Sequence, residues 1–173
     1  YDIRIIFVSC CKTTTERKNM AKKKKVPQQQ ALSPERYIKE KARLLPIVEC
    51  WITDGWDKCG LGTAIVARQH KNGNYTLGIY MFDTFCCGLT DSLYHFNVPE
   101  YEYREMLEEG CATLEMNPIS YEELHNLIYG AVAFAEEAGL GPHSSFKLTQ
   151  YILEEDTDEI PLIEYEFGKD GKH

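Results

Sequence analysis

The apolar positions of this chain change period along its length, and the changes divide it into elements. From Ser33 the period is helical, with Tyr37, Ile38, Ala42 and Leu45 on one side. Ser33 caps this helix, Pro34 suits its first position, and Pro46 stops it. Ile47 to Thr53 alternates as a strand through Val48, Cys50 and Ile52. Asp54 to Lys58 is a turn-rich loop. Leu61 to Gln69 and Tyr75 to Phe85 are β-prone runs separated by His70 to Asn74. Asn72-Gly73 within that gap predicts a tight type I′ hairpin, because both residues tolerate positive φ. A turn at Cys86-Cys87-Gly88 then leads to a short strand over Ser92 to Phe96.

Beyond residue 96 the period becomes helical again. Asn97-Val98-Pro99-Glu100 has capping-box spacing, Tyr103, Met106 and Leu107 form a buried stripe, and Gly110 ends the helix. Ser120 to Glu123 is a second capping box and opens the longest helix. Its apolar face is Leu124, Leu127, Ile128, Ala131, Ala135 and Ala138, with Gly139 at the C-terminal cap. A short helix follows around Phe146 to Leu153, then an acidic loop from Glu154 to Glu159. The last strand is Pro161 to Phe167, where Ile163, Tyr165 and Phe167 alternate with Leu162, Glu164 and Glu166. Strands grouped, then helices grouped, predict an α+β fold. Its sheet is antiparallel, a hairpin meander plus a returning C-terminal strand, with helices packed on one face.

Composition refines this picture. The 173 residues allow one domain and a tail. No apolar run approaches the roughly 20 residues of a membrane span. The apolar start at Ile3 to Cys11 is interrupted by Arg4 and lacks the preceding basic region of a signal peptide. Residues 1–33 hold eight Lys/Arg against Asp2 and Glu16, a balance of +6. The chain as a whole is −8, which leaves −14 for residues 34–173. Residues 1–32 therefore read as a disordered basic tail, with residues 1–19 upstream of a natural start at Met20. Residues 33–173 are expected to form a single folded domain, and the lack of an obvious end signal at Gly171-Lys172-His173 is compatible with truncation there. Lys22, Lys23, Lys24 and Lys25 are candidate nucleic-acid contacts, weak and without sequence preference. The commoner role of such a run is a solvated tail. The domain itself repels phosphates.

Seven cysteines include two adjacent pairs and no Cys-x-x-Cys, which is neither a disulfide framework nor a zinc-finger spacing. Reduced, mostly buried thiols in a cytoplasmic protein are expected. Asp83 lies on the same strand face as Leu77, Ile79 and Met81, so its carboxylate needs a partner on the core side. It is a candidate acid or base, or a cap on the following turn. Cys86 is a candidate nucleophile if a base activates it, and otherwise a structural thiol. His125 sits on the long helix beside Tyr129, Val132 and Glu136, which suits proton transfer or a satisfied structural histidine. His143 lies in the loop after that helix. Asp91 is a turn or capping residue. No His-Glu-x-x-His pattern occurs, and Glu154 to Glu159 lacks the spacing of a calcium loop, so no metal site is expected. No cofactor is indicated.

The stretch Phe82-Asp-Thr-Phe-Cys-Cys-Gly-Leu-Thr-Asp91 resembles a Val-Asp-x-x-Cys-Leu-Gly-Val-Lys-Asp run in a family of uncharacterised bacterial proteins. His125 to Ala131, Gly141-Pro-His143 and Glu166 to Gly171 are similar to later segments of that family. The resemblance covers about residues 33–173 and maps onto Asp83, Cys86, Gly88, Asp91, His125, Asn126, Tyr129, Gly130 and His143. Thr90 stands where the pattern has Lys. The resemblance implies a bacterial, cytoplasmic protein and carries no activity. It marks Asp91, Asn126 and Tyr129 as candidate binding residues. The first expectation for function is a module that binds a protein or nucleic acid. The alternative is a small hydrolase using Asp83, Cys86 and either His125 or His143.

Overall fold

Two long runs, Leu61–Gln69 and Tyr75–Asp83, are apolar at both odd and even positions, so a sheet built on them needs cover on both faces. A computed structural model describes residues 32–168 and shows how that cover is supplied. The elements are α1 (Pro34–Lys41), β1 (Ile47–Thr53), the single turn α2 (Trp56–Cys59), β2 (Leu61–Gln69), β3 (Tyr75–Asp83), β4 (Gly88–Val98), α3 (Glu100–Leu114), β5 (Met116–Pro118), α4 (Tyr121–Glu137) and the short α5 (Phe146–Thr149). The strands form one antiparallel sheet in the order β4-β3-β2-β1-β5. The fold is α+β.

Alternation divides the core in two. Ala64, Val66, Tyr80 and Phe82 join Ile38 of α1, Leu124, Leu127 and Ile128 of α4, and Phe146 of α5. Ile65, Ala67, Tyr75, Leu77 and Ile79 join Tyr103, Met106 and Leu107 of α3 on the opposite face. Helices therefore cover both faces, where packing on one face was expected. Each fully buried Leu or Ile contributes about 1.5–3 kcal/mol, and neither face of these strands could go without its helix.

Local signals act as read at both capped helices. Ser33 accepts the N–H of Arg36, and Ser120 and Glu123 form a reciprocal capping box. The β2–β3 connection has a different geometry from the expected type I′ turn. His70 accepts from Gly73 N (3.0 Å) and donates to Asn74 O (2.7 Å). Gly73 alone takes positive φ, at 85°. This is a three-residue loop with a glycine bulge. The start of α3 also differs. Pro99 occupies the cap position without a side-chain bond, because Asn97 (φ 55°) accepts from Asn74 and Asn72 instead. α3 runs past Gly110 to Leu114 and ends at Glu115 in the left-handed conformation.

The fifth strand is Met116–Pro118, and residues 161–167 form no strand. That segment runs along α4 instead. Asn126 donates to Pro161 O (3.0 Å) and accepts from Ile163 N (3.1 Å), which replaces a strand partner at two backbone groups. Tyr165 packs edge-on against Trp56, and Phe167 stacks on Phe134. The alternation of Ile163, Tyr165 and Phe167 thus serves a helix surface and not a sheet.

Candidate functional site

The sequence candidates separate into three places. Asp83 ends β3, and its carboxylate accepts the N–H groups of Phe85 (2.9 Å) and Cys86 (3.1 Å). This is a turn cap. Among the described residues, no hydrogen bond or ion pair joins Asp83 to a histidine. Cys86 and Cys87 are exposed at the apex of the turn, where buried thiols were expected. The cause is Gly88, whose φ of 63° turns the chain inward so closely that a Cβ there would lie 2.4 Å from Ala131 O. The two residues before it are left outside. A hydrogen bond with Cys86, partial burial and the nearby Asp83 charge raise the Cys87 thiol above its ordinary range, which opposes thiolate formation.

His125, Asn126 and Tyr129 form the second group, and it is a clamp. His125 is buried and lies between the rings of Tyr121 and Tyr129. Burial holds its pKa below the usual imidazole value and keeps the ring neutral. Its Nε2 and the Tyr129 hydroxyl both lie 3.3 Å from Glu154 O, while Glu154 N donates to the Tyr121 hydroxyl at 2.7 Å. Burial pushes the Tyr129 phenol up to about 12. The side chains of three α4 residues thus fix the backbone of Glu154, and Asn126 fixes the chain beyond it. The Glu154 carboxylate accepts from Arg68 Nη2 at 2.6 Å.

The third group is centred on β4, the long edge strand. Asp91 is nearly buried, with 13% of its side chain exposed, and its Oδ1 lies 3.0 Å from His143 Nδ1. The same oxygen accepts from Ser92 N (2.8 Å) and Ser145 Oγ (3.2 Å). Ser145 Oγ also accepts from Ser92 N (3.0 Å) and lies 2.9 Å from Ser92 Oγ, which in turn is 2.7 Å from Thr149 Oγ1. His143 N donates to Leu89 O at 3.2 Å. These bonds latch residues 143–149 onto the outer edge of β4 between Leu89 and Ser92. Asp91, His143 and Ser145 meet, but not as a serine–histidine–aspartate relay. That relay needs carboxylate and hydroxyl on opposite ring nitrogens, and here both approach Nδ1.

Beyond the latch the edge is open. Ser92 N points outward to Ser145, so alternation turns the N–H and C=O of Tyr94 outward as well, while Leu93 and His95 face Ile79 and Leu77 of β3. No described group bonds the outward groups of Tyr94. This register persists to Asn97, where the chain takes positive φ and the ladder shifts. Beside the open stretch lies a cleft of about 430 Å³ between α1, β4 and residues 144–149. Glu35, Lys39, Tyr94, Ser145, Lys147 and Leu148 line it. The Tyr94 hydroxyl donates to Glu35 at 3.1 Å, which helps hold that carboxyl below its ordinary range, after the larger effect of a backbone hydrogen bond. Neither Lys39 nor Lys147 has an ion-pair partner among the described residues.

No family model, curated protein or solved structure matches this chain. Lys39, Tyr94, Ser145 and Lys147 are absent from the sequence candidates, because no spacing links α1 to residues 144–149. The one available signal was His143 after Gly141-Pro142, which placed a polar loop in that region. Lys22 to Lys25 lie outside the described residues. Among the described residues, no group of three or more His, Cys, Asp or Glu side chains is arranged to hold a metal, and no helix is long and apolar enough to cross a membrane.

Proposed function

We propose that this domain is a protein-binding module that receives an extended segment of its partner on the outer edge of β4. The observation that carries this reading is the open edge over Leu93 to Phe96, next to the cleft. Natural sheets protect long edges with charge, proline, bulges or covering segments. Here the latch covers Leu89 to Ser92, the bulge begins at Asn97, and the stretch between them carries none of these devices. Main-chain bonds to an edge give affinity, and pockets beside it read alternate side chains. Exposed reduced thiols and an acidic domain suit a bacterial, cytoplasmic setting, as the family resemblance implies.

Tyr94→Pro tests the edge directly. Proline removes the outward N–H, while the β3-facing bonds of Leu93 and His95 are unaffected. Tyr94→Phe is the control for loss of the hydroxyl bond to Glu35. The probe is a fluorescein-labelled, β-prone peptide of alternating Thr and Val, followed by anisotropy. Binding by wild type and Tyr94→Phe, lost in Tyr94→Pro at unchanged circular dichroism, supports edge addition. Equal binding by Tyr94→Pro, or no binding by wild type of either this peptide or its Glu-substituted form, refutes it. Ester or amide hydrolysis abolished by His143→Ala would favour the hydrolase reading instead.

A further inference from the structure

Resting on the edge reading, we infer that the partner segment is acidic, with carboxylate side chains at every second position directed into the cleft toward Lys39 and Lys147. Side chains of an added strand alternate between the two faces of the sheet. Those on the face of Ser92 and Tyr94 enter the cleft. Those on the face of Leu93 lie on the α3 side.

The lining of the cleft includes two cations from separate elements, Lys39 on α1 and Lys147 on α5, both exposed. Among the described residues each is without an ion-pair partner, in a region of net charge −14. The four arginines of the described domain are engaged, Arg36 with Glu40, Arg43 with Glu155, Arg68 with Glu154 and Arg104 with Glu49, whereas Lys41, Lys58 and Lys71 are also without an ion pair among the described residues but do not line the cleft. The anions near the cleft are already satisfied. Glu35 accepts from Tyr94, and Asp91 accepts from Ser92 and Ser145 and faces His143. Two lysines against Glu35 leave the cleft lining locally positive. At physiological salt the Debye length is about 8 Å, so the distant carboxylates of the domain are screened while a peptide carboxylate in the cleft is not. A neutral peptide would gain no charge attraction from either ammonium group. A basic one would be repelled by them.

The test uses the full chain and three amidated, N-acetylated peptides that share one β-prone sequence. They carry Glu, Gln or Lys at alternate positions, and amidation excludes a terminal carboxylate as the recognised group. The Glu peptide is expected to bind at least tenfold more tightly than the Gln peptide in 50 mM salt. That advantage should shrink severalfold in 500 mM salt and in the Lys39→Gln/Lys147→Gln variant. Equal binding of the Glu and Gln peptides, both lost in Tyr94→Pro, overturns the acidic partner and leaves the edge reading standing. Preference for the Lys peptide also overturns it. An unchanged Glu advantage in the double lysine variant places the recognition elsewhere and overturns the inference. Binding of the Glu peptide that survives both Tyr94→Pro and backbone N-methylation of the peptide refutes the edge reading itself.

Discussion

Replacing Arg68 with Met should remove a large share of the domain's stability, and the structure allows the loss to be divided. The Arg68 side chain is 1% exposed. Its Nε donates to Ile152 O, its Nη1 to Leu45 O and its Nη2 to Glu154 Oε1, each at 2.6 Å. Methionine fills similar space and donates nothing. It leaves two main-chain carbonyls without a donor in a dry environment, each costing about 1–3 kcal/mol. The third acceptor, Glu154, is 39% exposed and regains water. Relief of the guanidinium desolvation offsets part of the loss, so the net cost is about 2–5 kcal/mol. With an urea m-value of about 2 kcal/mol per M, the midpoint should fall by roughly 2 M. Glu154→Gln keeps an acceptor for Nη2 and should cost about 1 kcal/mol or less. Urea unfolding of both variants, followed by fluorescence, checks the division. An Arg68→Met midpoint within 0.3 M of wild type, or a Glu154→Gln loss as large as that of Arg68→Met, would refute the reasoning.

Two further outcomes follow from the same physics. Gly88→Ala should cost about 3 kcal/mol, from positive φ plus collision with Ala131 O, while Gly73→Ala, with nothing within 4 Å, should cost only about 1 kcal/mol; equal urea midpoints for the two variants would contradict this. Burial lowers the pKa of His70, His95 and His125 from 6.5, so the unfolded chain takes up their protons first. Stability is then full above about pH 6.5 and declines as pH falls below it, by up to about 1.4 kcal/mol per pH unit for each histidine. His95 gives the simplest case, because its Nε2 is buried without a hydrogen-bond partner among the described residues. Equal midpoints at pH 7.5 and pH 5.5 would rule the effect out.

What could be read in the sequence was local. Ser33 and Ser120 act on N–H groups within their own first turns, so their caps were visible as spacing. The hairpin at Asn72-Gly73 was placed correctly, but its geometry was not, since Gly73 alone adopts positive φ. Tyr75 to Phe82 already showed apolar residues of both parities, a sign of two covered faces that the grouping of strands and helices concealed. Residues 161–167 have strand-like alternation because any extended segment on a helix surface has it; only the side chain of Asn126 decides where the segment lies. The candidate site was less legible still. Ser145 and Asp91 are 54 positions apart, and Glu35 and Tyr94 are 59 apart, so neither pairing leaves a periodic trace.

The clamp around Glu154 also imposes an order in time. Arg68 enters the sheet early in the chain, yet two of its three acceptors are 84 and 86 positions downstream. During synthesis the meander emerges with a charged side chain directed at a core that has no partner for it. Tyr121, His125 and Tyr129 likewise wait for residue 154. Chains released before that point carry nearly the whole sheet and the longest helix but cannot close the core. Closure of the core is thereby tied to synthesis past residue 154, and shorter products remain open to chaperones and proteases.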